Sequence, residues 1–312
     1  MAWEDPTMSK TSIINRALAG VMALAALSPV QAAPVASCDR ACLTEIMENY
    51  INAIPTHDRS SQPLAPGARE TVNGRVSPAQ SDYFWKLVDG ITYRQILADP
   101  TTGQVAMLGV ATEAGGRGAY WLRLAIKNRH ITEIEQVIGD RPAGGVPGLA
   151  APNPYFEQIL PEKSRSNREQ LIAIADSYFE GLQRHDGAGV QSAPGCRRYE
   201  NGNLTSLNPL GNTWACNVMS DYTYMDKIKE RRFPIVDVER GVVVGAMVIE
   251  VSKPKTSAAI TGVTPGGPQS VLPLFSRPHD TLIQEVFKIA DGKIQEINVI
   301  RQDMPYQWGS GW

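Results

Sequence analysis

The chain has 312 residues, of which 43% are hydrophobic and 20% charged, the make-up of a globular protein long enough for about two domains, each with its own core. Lys and Arg number 30 against 32 Asp and Glu, a formal charge of −2. No basic field is available to hold phosphate backbones, so nucleic acid is excluded as a partner.

Residues 1–37 read as a leader. Lys10 and Arg16 precede the apolar run "ALAGVMALAALSPV", which is too short to span a bilayer, and Val30-Gln31-Ala32 offers a small-residue cleavage site after Ala32. The acidic start "MAWEDPT" is unlike a signal, which favours translation from Met8. A lipoprotein box at Val35-Ala36-Ser37-Cys38 is the rival, but the Pro-broken "SPVQAAP" separates it from the apolar run. The expected location is periplasmic or secreted, an oxidising environment in which the four cysteines become disulfide candidates.

From Cys38 onward the chain says the same thing twice. His57 and His185 stand 128 positions apart, and the same offset relates Leu43 to Leu171, Tyr50 to Tyr178, Asp58 to Asp186, Pro66 to Pro194 and Asn73-Gly74 to Asn201-Gly202. Later matches drift: Trp85 answers Trp214, Thr92-Tyr93 answers Thr223-Tyr224, and Asp99 answers Asp237. The reading is a repeat over 38–140, a Pro/Gly linker over 141–163, and a second repeat over 164–312 with a long loop inserted at 253–278.

Each copy opens with a helix, because Leu43, Ile46, Met47, Tyr50 and Ile51, like Leu171, Ile174, Tyr178 and Leu182, recur at three- and four-residue steps. The His-Asp pair then invites a catalytic dyad, but Asp58 and Asp186 stand where a helix N-cap is wanted, and that reading is preferred. Asn-Gly marks a hairpin turn. A second helical segment carries Trp85 or Trp214. Strands follow: "TYRQILAD", "QVAMLGVAT", "AYWLRLAIK" and "ITEIEQVI", then "VVVGAMVIEV", "TLIQEVFKI" and "KIQEINVIR". Helices before a run of strands predict α+β, an antiparallel sheet packed on helices. Cys196 and Cys216 fall opposite Ala68 and Leu87 of the first copy, so they are gained together and are expected to bond to each other. That leaves Cys38 with Cys42 across a small loop; half a zinc site is the alternative, without a second half.

"NAIPTHDRSSQPLAPGARETVNG", "EGLQRHDGAGVQSAPGCRRYENG" and the closing "LIQEVFKIADGKIQEINVI" resemble SnoaL-like proteins of the nuclear transport factor 2-like superfamily, which includes ketosteroid isomerase and scytalone dehydratase. The whole pattern, with "CDRACL" and the tail "PYQWGSGW", is similar to a group of exported bacterial and fungal tandem proteins. The resemblance implies a cone-shaped α+β barrel per copy, a curved sheet wrapped around helices with a pocket at the wide end. It also implies pairing through the sheets, as an internal pseudo-dimer or a homodimer.

Function is sought where the copies disagree. In "TLIQEVFKI" Ile283, Glu285, Phe287 and Ile289 share a face, and their first-copy counterparts Tyr120, Leu122, Leu124 and Ile126 are all apolar. A carboxylate on a core stripe must be paired or protonated with a raised pKa. It is either a proton-transfer group or a structural ion pair with Arg301 or Arg198. Tyr222 and Tyr224 read as one strand face and Glu296 and Asn298 as another. The candidate catalytic set is Glu285, Tyr224 and Asn298, with His279 as reserve base, although His130 and His279 both stand at strand or loop ends in solvent. Trp214, Tyr222, Phe287 and Arg301 are the candidate ligand contacts. No phosphate loop, dinucleotide fingerprint, nucleophile elbow or metal cluster is present, so no cofactor or metal is expected. The expected activity is a cofactor-independent lyase, isomerase or dehydratase acting on a small apolar or aromatic molecule. A non-catalytic carrier and a protein-interaction scaffold are the alternatives.

Overall fold

A computed structural model describes residues 38–76, 83–113, 116–139, 146, 149, 153–208, 213–253 and 277–312. The leader with its cleavage site, part of the linker, most of the inserted loop, and the side chain of Trp214 lie outside the described residues. No described helix is long and apolar enough to cross a membrane.

Helix α1 (Arg40–Ala53) buries Leu43, Ile46, Met47, Tyr50 and Ile51, the predicted stripe, and Asp39 caps its start by accepting from the Cys42 amide. Its counterpart α4 (Arg168–Arg184) opens with a reciprocal capping box between Asn167 and Gln170. Both helices lead to a histidine in the left-handed region, His57 at φ 57° and His185 at φ 54°. A ring nitrogen of each meets a backbone carbonyl, that of Trp85 at 2.6 Å and of Met225 at 2.9 Å. The aspartates that follow cap no helix, contrary to the sequence reading. Asp58 accepts from the Ser60 amide and Asp186 from the Ala188 amide, closing tight turns that lead into strands. The repeated segment is a device for ending a helix and starting a sheet.

Repeat 1 then runs β1 (Leu64–Val72), β2 (Arg75–Val76), α2 (Tyr83–Leu87), β3 (Gly90–Asp99), β4 (Gln104–Glu113), β5 (Gly116–Lys127) and β6 (His130–Ile138). The short helix α3 (Pro154–Glu157) precedes α4. Repeat 2 follows with β7 (Ser192–Glu200), β8 (Asn203–Leu204), β9 (Leu207–Asn208), β10 (Thr213–Trp214), β11 (Lys227–Asp237), β12 (Val242–Val251), β13 (His279–Ala290) and β14 (Lys293–Pro305). One sheet has the order β2-β1-β6-β5-β4-β3 and the other, taken from the opposite edge, β11-β12-β13-β14-β7-β8. The repeats therefore share one topology: two tandem α+β cones with open, curved sheets.

Three details correct the sequence reading. The sheets are mixed, because β1 runs parallel to β6 and β7 parallel to β14. Short hairpins force antiparallel pairing only between consecutive strands, whereas the first strand of each repeat is met again after the whole meander. Trp214 stands on a short strand rather than a helix. Tyr222 lies in a 3-10 helix and Tyr224 in the turn after it, before β11 begins. Tyr93, on β3, is thus no counterpart of Tyr224.

Both disulfides form, Cys38–Cys42 with Cα atoms 5.2 Å apart and Cys196–Cys216 at 5.5 Å. Each sheet packs one face on its own helix. The opposite faces pack on each other: Leu97, Leu108, Val110 and Trp121 meet Val244, Val248, Leu282 and Val286 in one apolar layer. Each such side chain, once buried, contributes about 1.5–3 kcal/mol. Charged groups frame the layer with two-fold regularity. Arg40 and Arg168, the first residues of α1 and α4, each reach into the other repeat: Arg40 to Asp237 at 2.6 Å and Arg168 to Asp99 at 2.6 Å. A self-complementary interface makes just such reciprocal contacts. The C-terminal tail adds a strap, with Trp308 against Arg75 and Trp312 against Arg123 and donating to Thr71.

Asp99 also accepts from the buried Val236 amide at 3.0 Å and from Thr101 at 3.1 Å. Asp99→Ala strands that amide and the Arg168 guanidinium together, and is expected to cost about 2–4 kcal/mol. Urea unfolding followed by circular dichroism measures the loss. Asp237→Ala, which orphans no amide from the opposite repeat, loses less.

Candidate functional site

Strand alternation places Ile283, Glu285, Phe287 and Ile289 on the helix-facing side of β13, and the first, third and fourth belong to the repeat 2 core. Glu285 is 0% exposed. Its neighbours across the sheet are Gly245 and Val299. Arg198, from β7, donates through Nε at 3.2 Å and Nη2 at 3.0 Å, both to Oε1. Oε2 is buried without a hydrogen-bond partner.

Arg198 is shared. Its Nη1 donates to Glu200 Oε2 at 2.8 Å and to Thr205 Oγ1 at 3.2 Å. Glu200 in turn accepts from Arg301 at 3.0 Å. Arg301 also donates to Asp303, which accepts from Thr281 at 2.7 Å. Charges alternate along this row, from Glu285 through Arg198, Glu200 and Arg301 to Asp303. The disulfide anchors it, since Cys196 lies two residues before Arg198, whose backbone amide donates to Ser206 at 2.8 Å.

The two glutamates are driven apart. Burial is the dominant effect at Glu285 and pushes its carboxyl up to about 7, against the pull of Arg198 and with help from the Glu200 charge. Burial also acts on Glu200, but Arg301 and Arg198 outweigh it and hold that carboxyl at about 2. Tyr178, whose ring packs on Phe287 at 5.7 Å, and Tyr224 are raised by burial above the usual phenol value, so their hydroxyls stay protonated.

The structure brings Glu285, Phe287 and Arg301 to one face. Tyr222 and Tyr224, rings 6.2 Å apart, stand beside them within reach of the Arg198 and Arg301 charges. It takes Asn298 elsewhere. Asn298 pairs across the sheet with Val286, so it lies on the face turned to repeat 1, where it donates to Glu296 at 3.1 Å. His279 is also set apart: it is buried rather than solvated, but it is six residues from Glu285, ~20 Å along an extended strand. There it borders a surface cleft of about 320 Å³ with Asp303 and Tyr306. Among the described residues no three His, Cys, Asp or Glu side chains gather as metal ligands.

Repeat 1 fills the same space differently. Leu122 occupies the position of Glu285, and Glu70 stands 128 residues before Arg198. Glu70 accepts from Arg59 at 3.2 Å and from Gln136 at 2.9 Å, and Gln136 accepts from Tyr120 at 2.6 Å. Sequence reasoning missed this network, as it missed Glu200, Thr205 and Tyr178. The clue was present: the 128-residue offset sets a buried acid against a buried base.

A family model described as "Domain of unknown function (DUF8021)" matches residues 164–301, the second repeat. No protein with a curated description matches the chain. Among solved structures, the chain is similar to an NTF2-like protein of unknown function from Cytophaga hutchinsonii, with 11% identity, 31% of this chain and 88% of that one covered, and a TM-score of 0.27. It is also similar to a steroid delta-isomerase from Pseudomonas aeruginosa, with 15% identity, 33% and 82% coverage and a TM-score of 0.27. A protein of unknown function with a cystatin-like fold from Methylobium petroleophilum gives 13% identity, 36% and 84% coverage and a TM-score of 0.28.

The raised carboxyl of Glu285 has a thermodynamic sign. Below its ordinary value of 4.5 both folded and unfolded chains hold the proton, and between 4.5 and about 7 only the unfolded chain releases it. This group's contribution to stability therefore falls by about 3 kcal/mol as pH rises through that window, then levels off. Glu285→Gln removes the decline and leaves the protein more stable at pH 8, as urea titrations from pH 4 to 9 will show. Glu200→Gln removes a repelling charge and frees Arg198 for Glu285. The Glu285 midpoint then drops by about one unit, read from the carboxyl carbon by nuclear magnetic resonance.

Proposed function

We propose that the repeat 2 cone is the working half of an exported small-molecule protein, and that Glu285 is its proton-transfer group in a cofactor-independent lyase, isomerase or dehydratase reaction. The observation that carries the reading is one carboxyl group, fully buried, with Oε1 fixed by Arg198 and Oε2 uncommitted. A group that titrates near neutrality can both take and return a proton at working pH. Fixing one oxygen orients the other, which a base needs and a purely structural ion pair does not.

The substrate class follows from the walls. Phe287, Tyr178, Phe179 and Ile283 surround the carboxyl with apolar and aromatic surface, which suits a small apolar or aromatic molecule. Glu285 Oε2 takes a proton from a carbon made acidic by an adjacent carbonyl and returns it one or two atoms away. Tyr224, held in its protonated form, donates a hydrogen bond to the oxygen on which charge develops, and the Arg301 guanidinium favours that charge electrostatically. Tyr222, Phe287 and Trp214 are the proposed ligand contacts. Asn298 takes no part, because it faces repeat 1.

Two disulfides fit an oxidising, extracytoplasmic environment, and export after Ala32 is part of the proposal. A non-catalytic carrier is the second reading of the same geometry: with Oε1 tethered by two hydrogen bonds from Arg198, the carboxyl serves a ligand as a fixed hydrogen-bonding partner.

Native mass spectrometry of the protein taken from its own compartment identifies the bound molecule. With that molecule as substrate, Glu285→Gln is expected to lower turnover by about 10²- to 10⁴-fold while affinity by calorimetry changes little. Equal loss of turnover and affinity assigns the site to binding alone.

A further inference from the structure

The sequence contains a single Asn-x-Ser/Thr triad, Asn203-Leu204-Thr205, the acceptor pattern for N-linked glycans in secreted proteins. We propose that Asn203 is an N-glycan acceptor when the chain passes through a eukaryotic secretory lumen. The inference rests on the export part of the proposed function and not on its chemistry.

The hairpin presents this residue and no other. The turn Asn201-Gly202, at φ 44° and 79°, reverses the chain between β7 and β8, and Asn203 is the first residue after it, exposed, on the outermost strand of the sheet. The polar residues around it are in use. Asn201 donates to the Arg301 carbonyl at 3.1 Å and accepts from the Arg301 amide at 2.9 Å. Thr205 donates to the Arg198 carbonyl and accepts from its guanidinium, each at 3.2 Å. The Asn203 side-chain nitrogen reaches only the Asn201 carbonyl at 3.5 Å, the outer limit of a hydrogen bond. The fold gives it nothing to do, and attaching a sugar there breaks no contact of consequence.

Repeat 1 supplies the contrast. The residues 128 positions earlier are Arg75 and Val76, on the edge strand β2, and Arg75 lies 4.2 Å beneath the Trp308 ring of the C-terminal tail. There the protein's own chain holds Arg75, while Val76 beside it stays exposed. On β8, Leu204 is 39% exposed at a sheet edge, the kind of strand that pairs with other chains unless something bulky or charged stands beside it. A glycan on Asn203 stands there. The Cys196–Cys216 bridge encloses the triad within a 20-residue span, so this hairpin matures in the same oxidising compartment where glycans are attached.

In the step itself Asn203 Nδ2 bonds to the anomeric carbon of a lipid-pyrophosphate-linked oligosaccharide. The carbon–oxygen bond to the pyrophosphate breaks, its electron pair leaves with the lipid pyrophosphate, and Nδ2 loses one proton. Thr205 serves the transferase while the chain is unfolded and Arg198 once it is folded.

The test is secretion of the full chain from a yeast, with the mass of the peptide spanning Asn203 measured before and after enzymatic deglycosylation. The expected result is a mobility shift on deglycosylation that Asn203→Gln and Thr205→Ala abolish and Thr205→Ser retains, with Asn203 converted to Asp by the enzyme. A secreted chain with both disulfides formed and Asn203 unmodified overturns the inference and leaves export standing. A chain recovered with its four cysteines reduced overturns export, and the acceptor with it.

Discussion

A carboxyl group taken out of water needs replacements for the water it loses, and at Glu285 the protein supplies them for one oxygen only. Everything distinctive in repeat 2 turns on that half-measure. Arg198 can hold Oε1 because β7 runs parallel beside β14, which brings Arg198 level with Ile297 and one strand away from β13. Its position is fixed by a disulfide two residues earlier and by Ser206 on its amide. Its charge is divided with Glu200, which Arg301 also claims. Because the guanidinium is shared, its pull on Glu285 cannot overcome desolvation, and the carboxyl titrates near neutrality instead of in the acid range.

Duplication makes room for such a group. Each sheet has two faces, and the fold devotes one face of each to the layer between the repeats, framed by the reciprocal pairs Arg40–Asp237 and Arg168–Asp99. That layer is common property, apolar around Trp121 and Val286 and polar where the buried Glu135 accepts from Arg123 and from Arg232 and Gln284 of repeat 2. The helix-facing sides are private, so the two cones were free to diverge. Repeat 1 joined its polar groups into a hydrogen-bonded network of Glu70, Arg59, Gln136 and Tyr120, around a leucine where repeat 2 has its glutamate. A tandem fold tolerates a destabilising group in one half because the other half and the shared layer hold the structure together.

What could be read from the chain alone was what local pattern determines. The helical stripes ending at His57 and His185, the Asn-Gly turns and the core-facing parity of Glu285 depend on residues within a few positions of each other, and the structure has them as read. What depends on pairing across the sheet was hidden. That β7 lies beside β14, and so that Arg198 rather than Arg301 meets Glu285, follows from a parallel contact between segments nearly 100 residues apart. Asn298 was misplaced because its face is set by its pairing with Val286 across the sheet, which the strand's own alternation does not give. The match of Thr223-Tyr224 to Thr92-Tyr93 was a coincidence of letters; Tyr224 sits in a turn and Tyr93 in a strand, and only the strand start at Lys227 separates the two cases.

The structural ion-pair reading of Glu285 requires that Arg198 need it. The geometry meets part of that requirement elsewhere, because Arg198 has Glu200 and Thr205 on Nη1 and turns only Nε and Nη2 to Glu285. Nor does the fold need an acid at this position, since repeat 1 builds the same strand with Leu122 there. A residue that costs stability above its ordinary titration point and leaves one oxygen uncommitted is what the proposed proton-transfer role calls for. In the proposed function that role falls to Oε2, the oxygen left without a hydrogen-bond partner inside the protein, and the molecule that completes its bonding is the substrate.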